Sequence, residues 1–75
     1  MKSLDKLIIG EKGIIIYFET SELPIKLIEM GCLPGNEVKL LQFAPFNDPM
    51  YLELDGTHLA IRKALACKIL IDPIV

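Results

Sequence analysis

The chain has 75 residues, 52% of them hydrophobic, and its eight basic and ten acidic side chains give a formal net charge of −2. A chain of this size makes one small domain that buries roughly 60% of its unfolded surface, so we expect residues 1–75 to fold as a single domain. Because the charge is close to neutral and the lysines are scattered, the composition excludes a nucleic-acid-binding protein, which needs a clustered basic surface.

The longest apolar run, Gly13 to Phe18, is far shorter than the stretch of about 20 residues that a transmembrane helix requires. Charges at Asp5 and Lys6 interrupt the apolar core that a secretory signal peptide would need. Cys32 and Cys67 are too few for a disulfide framework, and we expect both to be small apolar residues in or near the core. These features predict a cytoplasmic protein that does not insert into the membrane.

One short helix is predicted between the first and second strands. Thr20 and Ser21 are candidate caps, and Pro24 fits the first turn, where its missing N–H costs nothing. Leu27 and Met30 recur at helical spacing, so one side of this helix should face the sheet. A helix of two turns is not stable alone in water, so packing on the strands must hold it.

A glycine and a Pro-Gly turn follow this helix and predict a compact corner before the next strand. Gly31 lies where helices commonly end in the left-handed conformation, which a side chain would resist. Pro34 and the glycine after it then redirect the chain. The corner is more apolar than a connector needs, so we expect most of its apolar residues, first of all Leu27 and Leu33, to pack in the core. A minority of this set, which includes Met30, would form an apolar contact patch.

Five short strands are predicted from β-branched runs and from alternation: Ile14–Phe18, Glu37–Phe43, Met50–Leu54, Thr57–Ile61 and Lys68–Ile71. Asp55-Gly56 is a strong signal for a two-residue hairpin turn, and Arg62 to Ala66 predicts one helical or 3₁₀ turn. Strands this short favour closure, because open two-stranded pieces are marginally stable. We therefore predict a mostly β, SH3-like barrel of about five strands with one short α-helix between the first two strands.

Side chains that could carry out catalysis are few. His58 is the one histidine, and it lies on a predicted strand beside a turn, where a surface position is expected more often than a general base. The sequence has no Walker A motif and no G-x-G-x-x-G motif, and each glycine has a turn or cap explanation, so nucleotide binding is not expected. We predict a protein that is not an enzyme.

The candidate metal ligands are scattered along the chain. Cys32, His58 and Cys67 show no paired Cys-x-x-Cys or His-x-x-x-His spacing. Carboxylates that could bind ferrous iron lie at four further positions, Glu19, Glu22, Glu29 and Asp48. Because carboxylates spread in this way usually form a solvated surface, we predict no metal site and no cofactor.

Three segments follow one another at a specific spacing: Leu-x-x-Met-Gly-Cys-Leu-Pro-Gly from Leu27, Ala-Pro through Asp48-Pro49, and Leu-Ala-Ile-Arg-Lys from Leu59, with Ala66. Together they resemble the FeoA family, the small cytoplasmic companions of the bacterial ferrous iron transporter FeoB. The resemblance implies an SH3-like barrel that supports ferrous iron uptake by contacting the cytosolic GTP-binding domain of FeoB. With Arg62 as a polar contributor at a family-like position, the predicted partner-binding residues are Leu27, Met30, Pro34 and Arg62.

Two features depart from the family pattern. Glu22 and Glu29 flank Lys26, the one basic residue of a helix that is often more basic in the family. Asn47 precedes Asp48 where a glycine is usual, and asparagine tolerates left-handed geometry less freely than glycine.

The resemblance leaves the role of the chain open, because the same kind of domain also occurs fused to iron-responsive repressors. One function is that of an accessory contact protein for the transporter. The alternatives are a regulatory SH3-like module that acts on a metal-responsive transcription factor, and a protein that binds iron directly. Both a monomer and a homo-oligomer are compatible with the sequence.

Overall fold

The computed structural model of the protein describes residues 1–18 and 24–74. Its strands are β1 (Lys2–Ser3), β2 (Lys12–Phe18), β3 (Glu37–Phe43), β4 (Met50–Leu54), β5 (Thr57–Ile61) and β6 (Ile69–Ile74). Its helices are α1 (Ile25–Glu29) and α2 (Lys63–Ala66), and 3₁₀ turns occupy Leu4–Lys6 and Pro45–Asn47. The predicted mostly β architecture with a short helix between two strands is confirmed. Within these residues no helix is long and apolar enough to cross a membrane.

The strands form one antiparallel sheet in the order β1-β6-β2-β3-β4-β5. Register shifts between Ile15 and Tyr17 in β2 and between Leu40 and Gln42 in β3 increase the local twist and curl the sheet toward a barrel. The closed barrel expected from the sequence is not formed by the described residues, because β1 and β5 remain the two edges. The reason is topological: β6 inserts between β1 and β2, and α2 leads the chain away from β5.

The N-terminal arm contributes a strand that the sequence did not predict. Lys2 lies opposite Ile71 and Ser3 opposite Leu70, so the extra strand is only two residues long. The Lys2 ammonium donates to the Glu11 carboxylate at 2.9 Å, and the Ile8 N–H donates to the same carboxylate at 3.0 Å. These two bonds, the Lys2 bond first, lower the pKa of Glu11 and tie the arm to the sheet.

Alternating apolar side chains of the strands point inward and form the core. Among the most deeply buried are Val38 and Leu40 of β3 and Met50, Leu52 and Leu54 of β4, each 0% exposed. Each set repeats every second residue, as expected for strands with one face on the core. The central strands are therefore the ones that the alternation in the sequence predicted best.

The hairpin between β4 and β5 is confirmed. Asp55 and Gly56 have φ values of 51° and 82°, which are the two left-handed residues of a type I′ turn. The last strand is longer than predicted and continues past Ile71 to Ile74, through Pro73 opposite Gly13. Proline is tolerated there because β1 ends before this point, so one side of β6 has no strand partner among the described residues.

Candidate functional site

Helix α1 and the corner after it carry exposed and half-buried apolar side chains. We call Ile25, Leu27, Met30, Leu33 and Pro34 the corner surface. Ile25 is 72% exposed and Leu33 41% exposed, Pro34 is exposed, and Leu27 and Met30 are half-buried. The assignment of Leu33 to the core was wrong, because Cys32 instead turns inward and fills the buried position at this bend. Leu27 packs against the core from its half-buried position.

Backbone geometry places the bend at Gly31 against the β4–β5 hairpin. Helix α1 begins at Ile25, directly after Pro24, which takes the N-cap position. The candidate caps Thr20 and Ser21 lie outside the described residues. Gly31 has a φ of +105°, as predicted for a helix end, and the Cys32 N–H donates to the Leu27 carbonyl at 3.0 Å. A Cβ on Gly31 would lie 3.1 Å from Leu54 Cδ2 and 3.4 Å from Asp55 Cβ, so the bend touches the hairpin directly.

The two cysteines occupy opposite environments. Cys32 is 0% exposed, and burial raises the pKa of its thiol to about 11. Cys67 is exposed after α2, where its Sγ donates to the Ala64 carbonyl at 3.1 Å, so its expected place in or near the core was wrong. The physical reason is that the short helix α2 buries only Ala66 and directs the following residue outward.

In the folded protein, we expect the thiol reagent DTNB to react rapidly with one thiol per chain, that of Cys67. Cys32 should react only after denaturation, because it is inaccessible and its raised pKa leaves little thiolate. Absorbance of the released thiol, followed with and without urea, measures both rates. A Cys67→Ser variant is the control and should show no fast phase. Two equally fast thiols in the folded protein would contradict the burial of Cys32.

Arg62 does not lie with the other predicted contact residues. It directly follows Ile61, at the end of β5 away from the Asp55-Gly56 turn. At about 3.3 Å per strand residue, Arg62 is roughly 15–20 Å from the Asp55-Gly56 turn, near which the bend at Gly31 lies. Its guanidinium lies 3.9 Å from the Asp48 carboxylate and its side chain is 75% exposed. Leu27, Met30 and Pro34 lie within one short segment of the chain, and Arg62 lies at the opposite end of the hairpin from its turn.

A second exposed feature, which the sequence did not single out, lies in the loop between β3 and β4. Phe46 is 99% exposed at the tip of the loop between β3 and β4, and its φ is 68°. Asn47 follows with a φ of 66°, which an asparagine accepts more readily than most side chains. The available signal was an aromatic residue between proline and asparagine inside a turn-rich link, where a buried position is not expected.

The candidate ligands that the structure describes do not converge. His58 is exposed on β5, Cys32 is buried, and Cys67 is exposed directly after α2. Of the carboxylates, Asp48 accepts a hydrogen bond from the Lys63 N–H at 3.0 Å, Glu29 is exposed, and Glu19 and Glu22 lie outside the described residues. Across residues 1–18 and 24–74, no three His, Cys, Asp or Glu side chains cluster as metal ligands would.

The curled antiparallel sheet with its small helix defines a small SH3-like β domain. The sequence profile of the FeoA domain matches residues 2–73. This chain belongs to the FeoA family, the ferrous iron transport-associated group of small SH3-like proteins.

Solved structures agree with this assignment. A FeoA-like protein from Clostridium acetobutylicum is 31% identical, with a TM-score of 0.87 over 99% of this chain and 87% of its own. FeoA from Chlorobium tepidum is 25% identical, with a TM-score of 0.87 over 97% of this chain and 70% of its own. FeoA of Stenotrophomonas maltophilia, a prokaryotic SH3 domain protein solved with zinc, is 21% identical to this chain. Its TM-score is 0.76 over 96% of this chain and 91% of its own. At this identity the likeness shows the shared fold alone. The predicted SH3-like fold is confirmed.

Proposed function

We propose that the protein is a non-catalytic cytoplasmic accessory protein of ferrous iron uptake and that it works by contacting the cytosolic GTP-binding domain of FeoB. The observation that carries this proposal is the match to the FeoA domain over residues 2–73. Supporting it, a chain of this size exposes an apolar surface at the corner, and exposed apolar patches commonly mark contact sites. We further propose that residues 1–75 act as one domain in this role.

The corner surface is the proposed contact region. Ile25 and Leu33 present large aliphatic side chains to solvent on a segment that Gly31 holds against the hairpin. A rigid apolar patch loses little conformational entropy on binding, which favours affinity. Interfaces draw most of their strength from a few such desolvated side chains, so one charged substitution here should be enough to weaken binding.

Ile25→Glu is expected to weaken binding to the purified cytosolic domain of FeoB by at least about tenfold, because it places a charge in an apolar contact. Ile25 is better suited than Met30, since it is 72% exposed and its replacement leaves the core intact. Titration calorimetry measures the affinity, and ferrous iron uptake in a strain lacking this protein measures function. The variant should keep the wild-type melting temperature.

Ile9→Glu is the matched control, because Ile9 is another exposed isoleucine, 63% accessible, in the loop before β2. It should bind and restore uptake like the wild type. Equal binding by Ile25→Glu and Ile9→Glu would remove the corner surface as the contact. Normal uptake in the deletion strain under anaerobic iron limitation would remove the transporter-accessory function itself.

A regulatory role is the second candidate. The manganese regulator SloR contains the same fold, with a TM-score of 0.76 at 23% identity. The match covers 97% of this chain but 34% of that protein. The likeness shows the fold alone, and it supports this candidate only in that the larger protein is a manganese regulator. Binding of this chain to a purified metal-responsive repressor, in the absence of any binding to FeoB, would favour the regulatory module over the accessory protein.

A further inference from the structure

The outer edge of strand β5 is open. Strand β5 is the last strand of the sheet, and it pairs with β4 from Thr57 to Ile61 without a register shift. In an antiparallel hairpin with a two-residue turn, the residues that flank the turn exchange both backbone hydrogen bonds, and this pattern recurs at every second residue. Thr57, Leu59 and Ile61 therefore bond to β4. His58 and Ala60 direct their N–H and C=O groups away from the sheet, and within residues 1–18 and 24–74 no backbone group pairs with them.

The two edges of the sheet differ in how they are protected. Natural sheets blunt an exposed edge with a very short strand, lysine, proline or a bulge, because an open edge is a template for pairing with another chain. The edge at β1 has these features, since β1 is two residues long and includes Lys2, and Pro73 lies on β6 beyond the end of β1. Strand β5 is five residues long, Thr-His-Leu-Ala-Ile, and contains no lysine, arginine, carboxylate or proline. Thr57, His58 and Ala60 are all exposed, so this edge is accessible to another strand.

The free backbone groups of β5 are complementary to those of a second copy of the same strand. A two-fold axis at Leu59 sets two copies antiparallel, with His58 of each copy opposite Ala60 of the other. Directly opposite residues of this kind exchange both backbone hydrogen bonds, so every free N–H and C=O of His58 and Ala60 finds a partner. Leu59 then lies opposite Leu59 of the second copy in the closer, non-hydrogen-bonded spacing.

Side chains and charge are compatible with this pairing. Across the axis the imidazole of His58 would lie beside the methyl group of Ala60, and Thr57 would lie opposite Ile61, so no like charges face each other. A net charge of −2 adds little repulsion between two copies. A strand of another protein would meet the same backbone groups, but the match in spacing and side-chain size is a property of this chain paired with itself.

We propose that two copies of this chain form a two-fold symmetric dimer in which β5 pairs with β5 and the sheet continues across the axis. Such an isologous interface uses the open edge of both copies, and assembly stops at the dimer because the edge at β1 is blunted. A contact built from one pair of five-residue strands is expected to bury less than the roughly 800 Å² per partner of a standard interface, so the dimer should be weak. The inference does not depend on the proposed contact with FeoB, because it rests on the backbone of β5.

Sedimentation equilibrium of the wild-type protein tests the pairing. The monomer has a mass of 8.4 kDa, and we expect the average mass to rise from near this value at about 10 µM toward twice this value at about 1 mM. Ala60→Pro should raise the dissociation constant of the dimer at least about tenfold, because it removes an outward N–H and leaves the hydrogen bonds to β4 intact. Ala60→Ser is the matched control, since it keeps the N–H and should dimerise like the wild type.

A cysteine at the axis tests the register without any proline. In a Cys67→Ser background, Leu59→Cys should form an intermolecular disulfide under mild oxidation. The Cα atoms of a non-hydrogen-bonded pair lie about 4.5 Å apart, which is within the range that a disulfide spans. Thr57→Cys in the same background is the control and should cross-link far more slowly, because its two copies would lie about 13 Å apart along the strands.

Each outcome decides the inference. Dimerisation that Ala60→Pro weakens and Ala60→Ser retains, together with rapid cross-linking of Leu59→Cys, supports it. A wild-type protein that stays monomeric at about 1 mM overturns it. A dimer that Ala60→Pro leaves unchanged, or in which Leu59→Cys cross-links no faster than Thr57→Cys, uses another surface and overturns it as well. If circular dichroism shows that Ala60→Pro does not fold, the two cysteine variants decide. Slower amide exchange at His58 and Ala60 only after addition of the FeoB cytosolic domain, with no dimer, assigns the edge to a strand of that protein and overturns the self-pairing.

Discussion

Replacing Gly31 by valine is expected to lower the free energy of unfolding by about 2–4 kcal/mol, because two penalties act together. The φ of +105° belongs to a region that β-branched side chains strongly disfavour. The new Cβ would also lie 3.1 Å from Leu54 Cδ2, a side chain that is 0% exposed and cannot move without disturbing the core. Urea denaturation followed by circular dichroism measures the loss.

Gly35→Val separates the two penalties. Gly35 also has a positive φ, +94°, but a Cβ there would meet nothing within 4 Å. Its substitution should therefore lower the free energy of unfolding by backbone strain alone, about 1–2 kcal/mol. An equal loss at both glycines would show that Leu54 and Asp55 do not crowd the bend, and no loss at either would refute the left-handed helix end.

Leu52→Ala is expected to destabilise the protein by about 2–5 kcal/mol, because it removes a fully buried side chain and leaves a cavity in a small core. Leu52 is 0% exposed in β4 and lies opposite Leu59 of β5. Since the free energy of unfolding of a small domain is about 5–15 kcal/mol, this change removes a large part of it. The midpoint of urea denaturation gives the measurement.

Leu33→Ala is the matched control, with the same chemistry at a side chain that is 41% exposed. It should cost less than about 1 kcal/mol, as is usual for surface substitutions. If both variants lost the same stability, Leu33 would be a core residue, as its apolar character first indicated, and the exposed corner surface would have to be reconsidered.

The elements that the sequence predicted well are those with a local physical cause. Alternation identified β3 and β4, and the Asp55-Gly56 turn identified their hairpin partner β5, because side-chain period and left-handed turn residues are properties of short segments. The two-residue strand β1 was missed since two residues carry no period. The open edges were missed because strand order depends on where β6 inserts, which is decided by contacts between distant segments.

The candidate site shows the same division. Sequence reasoning singled out Met30 and Pro34, which share a short segment, and in the structure Met30 is half-buried and Pro34 is exposed. It grouped Arg62 with them by family position, yet β5 carries that residue to the far end of the hairpin. Phe46 was overlooked because its hydrophobic character was not weighed against its place in a turn-rich link, where the ring lies in solvent.

The carboxylate of Asp48 joins two segments that are distant in sequence. One oxygen accepts from the first amide of α2, and the other lies near Arg62, while the residue itself closes the loop that carries Phe46. The loop and the helix are therefore expected to open as one cooperative unit in native-state hydrogen exchange. Helix α2 leads directly into β6, and β6 lies between β1 and β2 and joins the N-terminal arm to the rest of the sheet. A mechanical force applied at the loop is therefore transmitted to β6.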